Sequence, residues 1–212
     1  MQHKRCIKRT ASGRGALIRL AAATVLSGSL VAAVVPQAIV AFAADEPNTE
    51  HQQAQTTRLS RFFTVKTYFD CDLPKDLQDH IAYLCEEYHI DPAIIVAMCW
   101  KESTYNARAV GDGGKSLGLM QIQPRWHKER MTRLECPNLI DAYQNITVGV
   151  DFLAELIGKY EDVEMALMAY NAGESGARKN WWSRGVYSNK YSSAVLEKAE
   201  ELKRGAYVEL YR

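Results

Sequence analysis

The chain has 212 residues with 26 basic and 25 acidic side chains, and six of the basic ones (Lys4, Arg5, Lys8, Arg9, Arg14 and Arg19) precede the first acid, Asp45. Setting those six aside leaves 20 basic against 25 acidic side chains, a net charge of about −5. Such a chain lacks the basic surface that nucleic acid demands, and it has no polybasic patch for an anionic membrane or wall.

The N-terminal segment has the order of an export signal. After the basic residues, an uncharged apolar run extends from Leu20 to Ala44 and ends in small residues around Ala41-Phe42-Ala43. Basic, apolar and small in that order describes a secretory signal peptide, here 1–43, with Ala-x-Ala placed for cleavage after Ala43. The rival reading is an uncleaved anchor, since 25 uncharged residues are enough to span a bilayer. Pro36 and the Ala, Gly and Ser content weigh against it. On either reading the remainder is expected outside the cytoplasm, and contact with a membrane is expected only through that segment.

Residues 44–63 are polar, without hydrophobic period, and are expected to form a disordered linker. Residues 64–212 are enough for one ordinary domain with its own core. Cys6 falls in the signal, leaving Cys71, Cys85, Cys99 and Cys136. Export permits disulfides among them, but spacing does not give connectivity. Cys85 and Cys99 fall on apolar helix stripes, where a buried free thiol is the plain reading. There is no Cys-x-x-Cys, and no His-Glu-x-x-His among His80, His89 and His127, so no metal site and no cofactor are expected.

Helical signals dominate the domain. Ile81, Leu84, Cys85 and Tyr88 fall at i, i+3, i+4 and i+7 of a helix starting near Pro74. Asp91-Pro92 reads as an N-cap followed by a first-turn proline. The run after it, AIIVAMCW, is apolar all round, so that helix should lie in the domain centre. It ends at Lys101-Glu102-Ser103. The stretch AVGDGGKSLG demands turns and a small hairpin. A short polar helix is expected from Arg125 to Leu134, and longer ones from Asp141 to Lys159 and from Val163 to Asn171. The latter should stop at Asn171-Ala172-Gly173. A last helix covers Asn189 to Leu202. The expected fold class is mainly α, with at most a small β-hairpin.

Glu102 is the residue that asks for chemistry. Apolar surroundings and the negative end of a helix dipole both disfavour a carboxylate, so its pKa should rise. A carboxyl kept protonated near neutral pH is what a general acid needs to protonate a leaving glycosidic oxygen. The bland alternative is a solvated polar residue at a helix end.

The neighbouring residues decide between these. Glu102-Ser103 at the end of an apolar helix, Gly118-Leu119-Met120-Gln121 followed by Ile122 and Pro124, Ala169-Tyr170-Asn171-Ala172-Gly173, and Tyr191 with Val195 occur in that order. Together they resemble the soluble lytic transglycosylase family of the lysozyme superfamily, over about 75–202. The resemblance implies a lysozyme-like helical domain acting on peptidoglycan glycan strands. It implies that Glu102 protonates the oxygen between N-acetylmuramic acid and N-acetylglucosamine. The same residue then removes the proton of the muramyl 6-hydroxyl, leaving a 1,6-anhydromuramyl end. One carboxyl does both jobs, unlike the two-carboxylate scheme of most glycosidases. Ser103, Ser116, Met120, Gln121, Tyr170, Asn171 and Tyr191 are the expected substrate-binding residues. Gln121 and Asn171 carry amides that both donate and accept, Met120 and Tyr170 line the cleft or pack the core, and Tyr191 matches a tyrosine near the catalytic carboxyl. Trp126, Trp181, Trp182 and Tyr187 are candidate sugar platforms or plain packing.

The pattern departs from the family at Lys115-Ser116-Leu117, where Gly-Ala-x is usual, and in the glycine-rich Gly111-Asp112-Gly113-Gly114. Asp112 is either a turn residue or a second carboxylate near the cleft, which would make the protein a hydrolase (a muramidase). A cysteine peptidase lacks any recognisable nucleophile setting here. A non-catalytic glycan-binding module would predict a damaged Glu-Ser pair or Tyr-Asn block, and both are intact.

Overall fold

The computed structural model describes residues 64–211; the expected signal peptide and the whole of the expected linker lie outside them. The described chain divides into two compact units, one built from 64–67 with the C-terminal strand, the other spanning Tyr68–Ala206. In the first, β1 (Thr64–Tyr68) pairs with β4 (Tyr207–Tyr211), and the Lys66 ammonium lies 5.3 Å from the Tyr211 ring centre.

The second unit is helical. Its first helix, α1 (Lys75–Tyr88), buries Leu77, Ile81, Leu84 and Cys85, a stripe at helical spacing, and closes on His89 in the left-handed region. Asp91 caps α2 (Pro92–Ser103) by accepting from the Ala93 amide at 2.9 Å, an arrangement that stabilises a helix by about 1 kcal/mol. Every residue of α2 from Ala93 to Cys99 is buried. Burying each large aliphatic side chain contributes roughly 1.5–3 kcal/mol, so Ile94, Ile95, Val96 and Met98 make α2 the anchor of the domain.

The chain then turns sharply: Thr104 and Tyr105 both take positive φ, 51° and 63°. The hairpin β2 (Val110–Gly111) and β3 (Ser116–Leu117) follows, paired antiparallel with Gly111 opposite Ser116. Where one short helix was expected, a 3-10 turn (Pro124–Trp126) precedes α3 (Lys128–Arg133). The long helix α4 (Ala142–Tyr160) is capped by Asp141, and α5 (Val163–Asn180) by Asp162. The last helix, α6 (Lys190–Arg204), opens with a reciprocal capping box between Asn189 and Ser192. It packs along α2 and touches α5, while α5 packs on α4 and α4 on α1.

Regular helix from Val163 stops at Gly173, as the sequence suggests, where the chain leaves helical geometry (φ 68°, ψ 155°), a conformation open to glycine at little cost. What the sequence does not foresee is the second helical stretch from there to Asn180. Helix resumes beyond it because Ala177, fully buried, draws the next turns back onto the core. The four cysteines among the described residues are free thiols, with Cys85 and Cys99 buried as the stripes suggested. Among the described residues no helix is long and apolar enough to cross a membrane.

Candidate active site

Glu102 occupies the last turn of α2, half-buried. Removal from water pushes its carboxyl above the ordinary glutamate value, and the Asp112 charge adds to that. The Tyr191 hydroxyl and the Lys101 ammonium pull the other way without cancelling burial. Tyr191, carried on the first turn of α6, donates to Glu102 Oε1 at 2.5 Å. The α2–α6 packing thus sets the carboxyl and its one hydroxyl partner face to face. Burial and the adjoining Glu102 charge both push the Tyr191 phenol well above its usual value, so it stays a donor.

Ser103, the next residue, turns its hydroxyl to main-chain carbonyls. Its hydroxyl, bonded to the Cys99 carbonyl at 2.9 Å and the Leu119 carbonyl at 2.9 Å, staples the end of α2 to the Gly118–Gln121 turn. That turn is held from the other side by Asn145 of α4, which is fully buried. Its side-chain oxygen accepts from the Met120 amide at 2.8 Å, and its amide donates to Leu117 O at 2.8 Å and Leu139 O at 3.0 Å. Gly118 has φ +75°, and a Cβ there would come within 2.4 Å of the Asn145 amide nitrogen and 2.5 Å of Leu139 O. Only glycine fits. Asn145 had no signal in the sequence beyond being a polar residue in an apolar helix pattern, and it was missed.

Met120 requires a correction. Expected among the substrate-binding residues, it is 0% exposed, with its sulfur packed against Gly149, so its side chain belongs to the core. What Met120 presents is its carbonyl, which accepts from the Tyr170 hydroxyl at 2.9 Å. Tyr170 stands close enough to Glu102 for the carboxylate to raise its phenol further, after burial has done most of it. Gln121 spends its amide protons on Ala109 O and Gly118 O, and its oxygen occupies the space where Gly111 lacks a Cβ. Ser116, buried, donates to Asp112 Oδ2 at 2.6 Å, and Gln123 donates to both Asp112 Oδ2 at 3.0 Å and Ser116 Oγ at 3.2 Å. Asp112 itself sits at φ 50°, exposed, as a turn residue would.

A cleft of about 550 Å³ opens on the other side of Tyr191, walled by Lys101, Asn171, Trp181 and Lys190 among others. Asn171 is exposed there, with its amide available. Of the remaining aromatics, Trp182 is buried, whereas Trp126 (69% exposed) and Tyr187 (54%) stand in solvent, Tyr187 between Val186 and Ser188 of the cleft. A larger hollow, about 650 Å³, lies around Pro124, Met131 and Pro137 and contains none of the residues just described.

A helical domain that presents one half-buried carboxyl at the end of its central helix, beside a glycine-dependent turn, is lysozyme-like. The transglycosylase SLT domain family matches residues 80–193, more than half of the chain, and the chain belongs to that family. It is 33% identical over 111 residues to a transglycosylase of Enterobacteria phage PRD1, covering 52% of this chain and 38% of that protein. It is 31% identical over 109 residues to an X polypeptide of Escherichia coli, covering 49% and 64%, and 29% identical over 122 residues to the invasion protein IagB of Salmonella typhimurium, covering 55% and 72%. The chain therefore spans less than two thirds of the first two relatives. Lytic transglycosylase Slt from Pseudomonas aeruginosa shares the fold, with a TM-score of 0.50 and 22% identity over 60% of this chain and 24% of that one.

Proposed function

We propose that the chain is an exported lytic transglycosylase that cleaves the MurNAc-β-1,4-GlcNAc bond of peptidoglycan and leaves 1,6-anhydromuramyl ends. The observation that carries this reading is the Glu102 carboxyl, raised by burial and held by a single hydroxyl donor, Tyr191. Protonated, Glu102 gives its proton to the glycosidic oxygen, and the N-acetylglucosamine side departs as an alcohol. The carboxylate left behind takes the proton of the muramyl 6-hydroxyl as that oxygen bonds to the anomeric carbon. The proton is thereby restored to Glu102 and no water is consumed. Tyr191 steadies the carboxylate between the two transfers, and Asn171 contacts sugar amide or hydroxyl groups. Ser103, Gln121, Ser116 and the Met120 carbonyl hold the wall against which the sugars lie, with Tyr170 bracing it.

A second reading attaches to Asp112, whose charge reaches Glu102. A carboxylate that positions water would make the protein a muramidase. Mass spectrometry of fragments released from purified peptidoglycan separates the two: ends one water lighter than hydrolysed ends support the transglycosylase, and reducing ends alone support the muramidase. Residues 1–43 act in this reading as a cleaved signal, so the exported protein is expected to begin at or near Ala44. N-terminal sequencing that recovers the apolar segment from membranes would favour the anchor.

A further inference from the structure

The connection between α5 and α6 differs in charge from the rest of the domain. From Ser175 to Leu196 there are four basic side chains (Arg178, Lys179, Arg184 and Lys190) and no acidic one, in a chain that is net acidic once its first six basic residues are set aside. In sequence the four are too widely spaced to read as a polybasic run. The fold brings three of them to one end of α5. Arg178 and Lys179 lie in its last turn. Arg184 closes the 3-10 turn Trp182–Arg184, with its amide bonded back to the Trp181 carbonyl at 2.9 Å. All three are exposed. Arg178 has Glu174 nearby, an acid already bonded to Lys159. Lys179 and Arg184 enter no ion pair among the described residues, where the pairs belong to Arg130, Arg133, Lys159, Lys198 and Lys203.

Between Arg184 and Lys190 the loop has an apolar tip. Val186 and Tyr187 are both exposed, carried by a turn in which Gly185 takes φ 69° and the Val186 amide donates to the Trp181 carbonyl at 3.2 Å. The tip stands on a fixed base, because Trp182 is buried with its ring edge-on to Tyr160, 4.8 Å between centres. Cations beside an exposed valine and tyrosine complement a surface with anionic heads above apolar chains. Lysine and arginine sit at the heads there, and a tyrosine ring sits at the boundary. A soluble polyanion would engage the cations and leave Val186 and Tyr187 in water.

We infer that this loop docks on an anionic lipid surface, with Arg178, Lys179 and Arg184 at the phosphate headgroups and Val186 and Tyr187 at the apolar boundary. The inference concerns binding and stands apart from the reaction at Glu102. Val186 and Lys190 also border the cleft beside Tyr191, so charge is tested at Arg178, Lys179 and Arg184 alone.

The test titrates the whole chain, native and variant, with phosphatidylcholine vesicles that contain or lack phosphatidylglycerol; whatever residues 1–63 contribute is common to all forms. Each basic residue near an anionic surface is worth about fivefold in partition. Arg178→Gln/Lys179→Gln/Arg184→Gln should therefore weaken binding to the phosphatidylglycerol vesicles by about 10–100-fold, the lower end applying if Glu174 already occupies Arg178. Arg178→Lys/Lys179→Arg/Arg184→Lys keeps the charges and should keep the binding. Val186→Ser/Tyr187→Ser should cost about tenfold on vesicles and nothing on soluble polyphosphate. Binding that ignores phosphatidylglycerol, or that is unchanged in the Gln variant at an unchanged melting temperature, would overturn the docking surface. Vesicle binding indifferent to the two serines would overturn the lipid assignment in favour of a soluble polyanion. Cleavage of soluble glycan strands by the Gln variant should match that of the native chain, and a loss in step with vesicle binding would make the patch a substrate surface instead.

Discussion

Two carboxyls in this domain are taken out of water, and they end in opposite states. Asp151, on α4, is 6% exposed. Burial by itself would raise its pKa, yet the Arg133 guanidinium at 2.6 Å, the Tyr88 hydroxyl at 2.7 Å and the Arg130 charge together bring it below the ordinary aspartate value. Glu102 is also desolvated, but it has one hydroxyl and the Lys101 charge in place of a hydroxyl and two guanidinium groups, and its pKa goes up. Burial is therefore not what separates a structural carboxylate from a chemical one; the number of cations supplied to it is.

The largest expected effect breaks the chemical member of the pair. Glu102→Gln should lower turnover by at least about 10²–10⁴-fold, because the amide neither donates an acidic proton nor accepts one back. A folded variant with near-normal turnover would remove the mechanism. The same variant sharpens the comparison through stability. A glutamate whose folded pKa lies above its unfolded value disfavours the folded state once the pH exceeds both, and has no effect below both. Glu102→Gln should thus raise the melting temperature at neutral pH, and the gain should vanish below about pH 4.

Asp151→Ala tests the structural member. It leaves the Arg130 side chain, 10% exposed, with Glu155 as its remaining carboxylate partner and the Tyr88 hydroxyl without its acceptor, and should cost about 1–3 kcal/mol in urea unfolding. The sign with pH is opposite to that of Glu102. Asp151 contributes stability above its unfolded pKa and loses it as pH falls through the depressed folded value, so the native protein and the variant should converge in acid.

Gly118→Ala is expected to cost about 1–3 kcal/mol, since the new Cβ is strained by its φ and meets Asn145 and Leu139. Activity should fall with it, because the turn forms the wall beside Glu102. The finest test moves the pH profile. Tyr191 lowers the Glu102 pKa and Asp112 raises it, so Tyr191→Phe should carry the alkaline limb of kcat/KM to higher pH and Asp112→Asn to lower pH. Shifts in the same direction would mean that the limb belongs to another group.

Much of this domain was legible from periodicity and caps. Asp91-Pro92 and the apolar run after it placed α2 and Glu102 within a residue or two, because a buried helix with a strong N-cap leaves few alternatives. The β1–β4 pairing was not legible, since it joins residues near 64 and 211 through contacts that no local pattern encodes. Nor was the second helical stretch beyond Gly173, since a glycine stop says nothing of the chain that follows it. At the site, Glu102 and Tyr191 were placed by motif. For Ser103, Gln121 and Met120 the motif names the residues and not which of their atoms face inward, so their hydrogen bonds and packing had to come from the structure. Asn145 escaped notice for the converse reason, as its three hydrogen bonds go to main chain and leave no side-chain pattern.

Those three bonds have a kinetic consequence. Asn145 ties Leu117, Met120 and Leu139 together from α4, while Ser103 of α2 and Tyr170 of α5 hold the same turn at Leu119 and Met120, so the turn next to Glu102 is complete only once three helices have docked, and its loop-closure entropy is expected to be settled late. Contacts of that kind are absent from a transition state built on the α2 core and its helical neighbours. Asn145→Ala should therefore speed unfolding in stopped-flow chevrons while leaving the refolding limb nearly unchanged. On this account the turn beside Glu102 should assemble late and open early.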